Sequence, residues 1–476
     1  FMNLRGIWRF FMENKIHALS EEGNLRVLPE NKSEYKREFL AGTTSFLAMA
    51  YIIAVNPSIL SAAGMPAGAI VTATCISAVI GCLIMGFYAK LPFGLAPGMG
   101  LNAFFTFSVV IGMGISWEVA LTAVFVEGII FILLSLFKVR EAVVDAIPIN
   151  LKYAVTAGIG LFIAFIGFNG AGVVIGNPDT MVAMGQVGPK MLIAMVGLCI
   201  IVILEKKKVK GSMLVGIVVS TLLAWGYASI NTEAAASMGI YLPNGIFKFE
   251  SIAPIAGKVN FSYLTSPQHV FNFITIVFTF LFVDFFDTVG TLIGVASRAN
   301  MLDKKGRVPN AGKALMTDAI ATTAGALLGT STVTVYVESA TGVEEGGRTG
   351  LTAITIGALF FVAMFFSPIF VAVPACATAP ALIYVGYLML TSVLKIDFSD
   401  ITDAVPAFLI IALMPLTYSI GDGLTIGVLT YVILNILHNI FAKNKEDKKE
   451  LSMVMIVLAI IFVIKLCLPL ITQMIG

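Results

Sequence analysis

The sequence predicts an all-α polytopic membrane protein, a fourteen-helix, seven-plus-seven inverted repeat with two half-helices, each preceded by a short extended strand. Three observations predict it. The composition, 58% hydrophobic and 12% charged with a mean hydropathy of +0.95, excludes an ordinary soluble domain. Apolar windows of about 20 residues recur along the chain, each long enough for a ~30 Å hydrocarbon core. Two windows, one in each half, are interrupted by residues that a plain helix would not choose.

Residues 1–37 read as a mixed, charged N-terminal arm, cytoplasmic or interfacial, and no cleavable leader is expected. Apolar segments follow at 39–60, 68–89, 93–112, 117–137, 150–170, 189–204 and 211–230, making a first repeat of 38–230. The Pro/Gly/Asn-bearing stretch 231–268 reads as an external loop. A second repeat, 269–441, holds segments at 271–297, 312–329, 330–345, 349–368, 371–394, 401–419 and 421–441. Residues 442–476 are a basic, cytoplasmic linker and an extra hydrophobic run, 451–473, carrying Lys465.

Charge placement supports this count. With the N-terminus in the cytoplasm, the even-numbered segments end near Lys138 and Arg140, Lys206 to Lys208, Arg298 to Arg307, Arg348, Lys395 and Lys443 to Lys449. The basic clusters then share one side, as the positive-inside rule requires. The 231–268 loop carries only Lys248 and Lys258. An odd number of segments per half turns the second half upside down, the inverted repeat common among secondary transporters. A short internal match, Gly81-Cys82-Leu83-Ile84 with Gly325-Ala326-Leu327-Leu328, precedes the interrupted segment in each half.

The first interruption runs Leu91-Pro92-Phe93-Gly94-Leu95-Ala96-Pro97-Gly98-Met99-Gly100-Leu101-Asn102. Two prolines remove backbone donors and the glycines loosen the chain. Irregular backbone at membrane depth survives only where it is buried in protein or lines a cavity. A short extended piece should lead into a half-helix near Gly98, its N–H groups aimed at a ligand. The second interruption, Thr330 to Gly342, is β-branched from Thr332 to Val337 and places Glu338 at a strand-to-helix junction. The two extended pieces are expected to pair near the midplane.

Acids inside apolar runs mark substrate or ion paths. Asp284 and Asp287 lie within Phe271 to Ala296, and Glu338 follows about fifty residues later. Glu127 reads equally as structural, gating or ligand-contacting, and Glu344, Glu345 and Arg348 read as a solvated helix end. Cys75, Cys82, Cys199, Cys376 and Cys467 all fall in apolar segments and read as small core residues. No metal-ligand spacing appears and His17, His269 and His438 are scattered, so neither metal nor cofactor is expected. A net charge of +2 gives no case for a nucleic-acid partner.

REFLAGTTSFLAMAYIIAVNP (37–57), GLAPGMGLNAFF (94–105), VDFFDTVGTL (283–292) and VYVESATGVEEGGRTG (335–350) closely resemble the AzgA-like purine permeases, the adenine–guanine–hypoxanthine branch of the nucleobase–cation symporters. The resemblance covers nearly everything from Arg37 to Asn439. It implies a core domain (38–138 and 269–368) and a gate domain (147–230 and 371–441). It also implies import of purine bases by proton symport across the plasma membrane. By motif position, Asn102, Asp284 and Glu338 match the family's substrate contacts, with Gly98, Gly100 and Ala340 beside them in the half-helices. Asp287 matches an acid tied to transport itself, so Asp287 and Glu338 are the expected proton-coupling residues. The 451–473 run departs from the family pattern.

The chemistry is compatible. A carboxylate accepts two donors from one edge of a flat base, and burial beside other acids favours proton uptake. Sodium coupling ranks second, because no separate cluster of oxygen ligands stands out. An anion carrier of the same fold is disfavoured by acids at both half-helix ends, and an intramembrane enzyme by the lack of a nucleophile or metal cluster. A homodimer is the expected assembly by analogy with fold relatives.

Overall fold

The computed structural model describes residues 25–136, 148–298, 301–302, 308–442 and 448–475. Most of the expected N-terminal arm, and the basic residues Lys138, Arg140, Arg307 and Lys443, lie outside the described residues. The first half runs α1 (Lys32–Met49), α2 (Ile52–Leu60), α3 (Ala67–Ile84), β1 (Leu95–Pro97), α4 (Met99–Ala103), α5 (Trp117–Leu136), α6 (Ile149–Gly170), β2 (Val174–Asn177), β3 (Met181–Met184), α7 (Pro189–Lys206) and α8 (Ser212–Ile230). The second runs α9 (Pro267–Arg298), α10 (Ala311–Leu328), β4 (Val333–Val335), α11 (Ser339–Glu344), α12 (Gly350–Ala363), α13 (Ala375–Leu390), α14 (Ile401–Leu416) and α15 (Ile420–Phe441). The extra run forms α16 (Met453–Ile475).

Among the described residues, eight helical runs have the length and hydropathy to cross a membrane. α1 and α2 make one such run, Lys32–Ala63. Helix α1 starts before the apolar run at Phe39 because Asn31 caps it, accepting from the Glu34 N–H at 3.0 Å. Residues 32–37, the end of the expected arm, are therefore helix. The connection after α6 pairs β2 with β3 antiparallel. Its residues are mostly exposed and its apolar run is too short to carry a pattern.

Packing falls into two groups. Helix α12 packs on α1 and α3, α10 on α3 and α5, and α11 on α1. Separately, α13 packs on α6, α7 and α8, and α14 on α6 and α15. Helix α12 also receives a cap from outside its own chain segment. Glu38, fully buried, accepts from the Arg348 and Thr349 N–H groups and from Thr352 Oγ1. Arg348, expected at a solvated end, is turned inward and donates to the Val343 and Gly347 carbonyls. Carbonyls in the last turn of a short helix and just beyond it have spare acceptor capacity, which the guanidinium uses.

Helix α16 packs on α15 and α9, with the Phe462 ring edge-on to Phe278 at 6.4 Å. The chain entering it is fixed by Lys449, which pairs with Asp400 and Asp403 at the start of α14. Cys75, Cys82 and Cys376 are buried as expected, but Cys199 is exposed and Cys467 is intermediate. The outer face of a membrane helix is apolar without being core, so an apolar run alone does not bury a thiol in protein.

Candidate functional site

The two interruptions meet. β1 and β4 pair antiparallel with Leu95 opposite Val335, Ala96 opposite Thr334 and Pro97 opposite Val333. The ladder extends through Tyr336 N–H to Gly94 O and Gly98 N–H to Thr332 O, each 3.0 Å. Those bonds make Leu95, Pro97 and Val333 residues whose backbone groups point away from the partner strand. Pro97 thus costs the ladder nothing, since its missing N–H would have pointed outward.

Outward groups need partners in a dry interior. Cys82 Sγ receives the Leu95 N–H at 3.3 Å and donates to the Leu95 carbonyl at 3.5 Å. In the other half, Thr322 Oγ1 receives the Val333 N–H at 3.2 Å and donates to the Val333 carbonyl at 3.0 Å. The Tyr336 hydroxyl donates to the Pro97 carbonyl at 2.5 Å. The internal sequence match explains this symmetry. A Cβ on Gly81 would stand 3.0 Å from Leu95 Cβ, and one on Gly325 would stand 2.8 Å from Val333 Cγ2. Each glycine lets the preceding helix lie flush against its own strand.

Residues 330–332 are each held by a different helix of the first half. Asn56 Nδ2 donates to Thr330 Oγ1 at 3.0 Å, Ser331 Oγ to Asn102 Oδ1, and Thr332 Oγ1 to Glu127 Oε2 at 3.0 Å. Glu127 therefore stands behind the strand, gripping it. Asn102 is fully buried, and its Nδ2 has no partner among the described residues. Gly98 is the extended N-cap of α4, and no side chain caps that turn. A Cβ on Gly98 would press Thr334 Cγ2 at 2.8 Å, and one on Gly100 would press Ile159 of α6 at 2.8 Å. Gly100 thus faces α6. Ala340 is buried in the first turn of α11.

The acids divide between two environments. Asp284 is fully buried; its Oδ1 lies 3.4 Å from Thr288 Oγ1. Thr288 also donates to Asp318 Oδ1 at 3.1 Å and shares a 2.7 Å hydrogen bond with Thr334 Oγ1. This network ties α9 to α10 and β4. Asp287, about 60° around the helix from Asp284, is partly exposed. So is Glu338, beside Val337, which is 49% exposed. Asp287 lies within electrostatic reach of Glu338, Tyr51 and Tyr336. Tyr51, 1% exposed, donates its hydroxyl to Glu338 Oε1 at 2.6 Å. Phe104 and Phe285 pack edge-on to Phe280 and stacked on Phe131, respectively. Phe105 is fully buried.

Sequence reasoning missed Tyr51, Asp318 and the Thr288–Thr334 contact. Asp318 carried a usable signal, being an acid inside an apolar helix. Tyr51 carried none, because its partner lies 287 residues away. Among the described residues no group of His, Cys, Asp and Glu is arranged to hold a metal ion.

Many apolar helices, two strand-broken passages paired across the two halves, and acids at the break together define a multi-pass membrane transporter. The Xan_ur_permease profile, described as "Permease family", matches residues 36–426. The adenine permease AdeP of Escherichia coli is 39% identical over 440 residues, covering 92% of this chain and 94% of that protein. The guanine/hypoxanthine permease PbuO of Bacillus subtilis is 40% identical over 444 residues, covering 92% and 99%. The chain belongs to this permease family, on the branch those relatives represent, and its relatives are permeases rather than enzymes. Its fold is that of the seven-plus-seven inverted-repeat carriers. The transmembrane domain of the cyanobacterium bicarbonate transporter BicA aligns with a TM-score of 0.59 at 16% identity, covering 83% of this chain and 98% of that one. The murine anion transporter Slc26a9 gives 0.60 at 12%, covering 86% and 70%.

Proposed function

We propose that this chain is a proton-coupled importer of purine nucleobases, taking hypoxanthine, guanine or adenine across the plasma membrane by alternating access, with its N-terminus in the cytoplasm. The observation that carries the reading is the convergence of two partly exposed carboxylates, Asp287 and Glu338, at a paired helix break. The names of the relatives, an adenine permease for AdeP and a guanine/hypoxanthine permease for PbuO, support the ligand class.

Glu338 accepts a ring N–H donor of the base, while the Asn102 amide and the α4 turn at Gly98 serve its acceptors. Thr288, bonded to Asp318 and Thr334 and 3.4 Å from Asp284, fixes α9 against α10 and β4. A proton taken up by Asp287 or Glu338 from outside removes charge repulsion at the site and favours base binding; its release inside weakens binding. The group containing α1 to α5 and α9 to α12 acts as the moving core against α6 to α8 and α13 to α15, in a protein that assembles as a homodimer.

The test is uptake of radiolabelled hypoxanthine, guanine and adenine in a purine-transport-deficient cell, with and without a protonophore. Protonophore-sensitive uptake of one base, inhibited by excess of another, supports the reading. No uptake by well-expressed protein sinks the purine assignment. Uptake that ignores the protonophore but requires sodium sinks the coupling. Glu338→Ala is expected to abolish high-affinity uptake with membrane expression retained, and normal uptake by that variant rejects the site.

A further inference from the structure

We propose that Tyr51 is a positioning residue that sets purine selectivity by taking one lone pair of Glu338 Oε1 and weakening that oxygen as an acceptor, so that the base binds mainly through the other oxygen. The inference rests on the purine reading above and adds the basis of choice between bases. The Tyr51 hydroxyl donates to Oε1 at 2.6 Å from a side chain 1% exposed. Tyr51 sits at the junction of α1 and α2, held in helical geometry, with its ring 6.5 Å from that of Tyr336. Tyr336 is itself anchored by its hydroxyl to the Pro97 carbonyl. Burial of its own ring holds the phenol in place, so Tyr51 acts through Glu338 and does not touch the ligand.

The consequence is chemical. Guanine and hypoxanthine share N1–H, but only guanine adds a 2-amino donor on the same edge. A free carboxylate receives both guanine donors side by side, one per oxygen, as it receives an arginine fork. The Tyr51 hydroxyl takes one of the two lone pairs of Oε1 and draws off its electron density, so the 2-amino group meets a more crowded and weaker acceptor there. The wild-type site therefore treats the two bases alike. Removing the phenol hydroxyl releases Oε1 for the second donor.

The experiment is competition of guanine and hypoxanthine against one labelled purine, in wild type, Tyr51→Phe and Tyr336→Phe. Wild type is expected to show inhibition constants within a few-fold of each other. Tyr51→Phe is expected to shift the ratio toward guanine by roughly tenfold, the usual worth of a hydrogen bond to a charged group. Tyr336→Phe removes a neighbouring hydroxyl and is expected to leave the ratio unchanged. A guanine preference of tenfold or more already in wild type overturns the proposal, and does so even if the variant fails to fold. Equal change of both constants in Tyr51→Phe also overturns it, because a merely structural role moves both together. Failure of wild type to transport any purine is a different result, which removes the functional reading instead.

Discussion

Thr322→Val isolates the support beneath the strand pair. The substitution keeps the branched shape but deletes the one hydroxyl that serves both outward backbone groups of Val333. Thr322 and Val333 are both 0% exposed, so water does not replace it. Leaving a buried polar group unpaired costs about 1–3 kcal/mol, so two such groups set an expected loss of about 2–6 kcal/mol. Thr322→Ser keeps the hydroxyl and should recover most of that. Both variants would be unfolded by SDS titration in mixed micelles, followed by circular dichroism. Thr322→Val within about 0.5 kcal/mol of wild type, the range of an inconsequential substitution, would refute the reasoning. So would Thr322→Ser as unstable as Thr322→Val.

Asp287→Asn should retain base binding in detergent while losing concentrative uptake; equal loss of both would undo the division of roles between Asp287 and Glu338. Gly342→Ala places a methyl 2.3 Å from the backbone carbonyl of Ala41, while Gly290→Ala meets nothing within 4 Å. The first should destabilise by about 1–3 kcal/mol, as overpacking does, and the second should be neutral; the same SDS titration ranks them. Hydrogen bonds from Lys449, then from Thr402, hold the Asp400 carboxyl down at about 2. A carboxyl depressed by folding stabilises above its unfolded value and loses that contribution as pH falls toward its folded one. The advantage of wild type over Lys449→Ala in thermal melts should therefore be full at about pH 5 and fade toward about pH 2. Partial exposure of the pair keeps it modest, and a gap independent of pH would remove Asp400 as its cause.

Much of the fold was legible because lipid imposes a strict rule. Passages had to be about 20 apolar residues long, and the two that broke the rule were the ones that paired. The Pro-Gly run at 92–100 and the β-branched run at 332–337 announced irregular backbone directly. The acids announced themselves by their cost in an apolar run. What did not show was orientation. Asp284 and Asp287 are three residues apart, and packing alone decides that the first enters the Thr288–Asp318 network while the second borders open space. Tyr51 looks like any interfacial or core aromatic until Glu338 is placed beside it. Glu38 is one charge beside Lys36 and Arg37 until the start of α12 brings the Arg348 and Thr349 N–H groups to it. Contacts across hundreds of residues leave no local trace, and the half of the site built from them was silent in the sequence.

The shared strand pair also constrains how the protein is made. β1 emerges from the ribosome more than two hundred residues before β4, so its ladder groups enter the membrane without their partners. Each unsatisfied backbone group there costs several kcal/mol. The first repeat is consequently an unfinished object during synthesis, one that must be shielded by the insertion machinery or stay partly hydrated until the second repeat arrives. Neither half expressed alone can build the break. A premature stop after the first repeat yields no weakened carrier, only a substrate for membrane quality control.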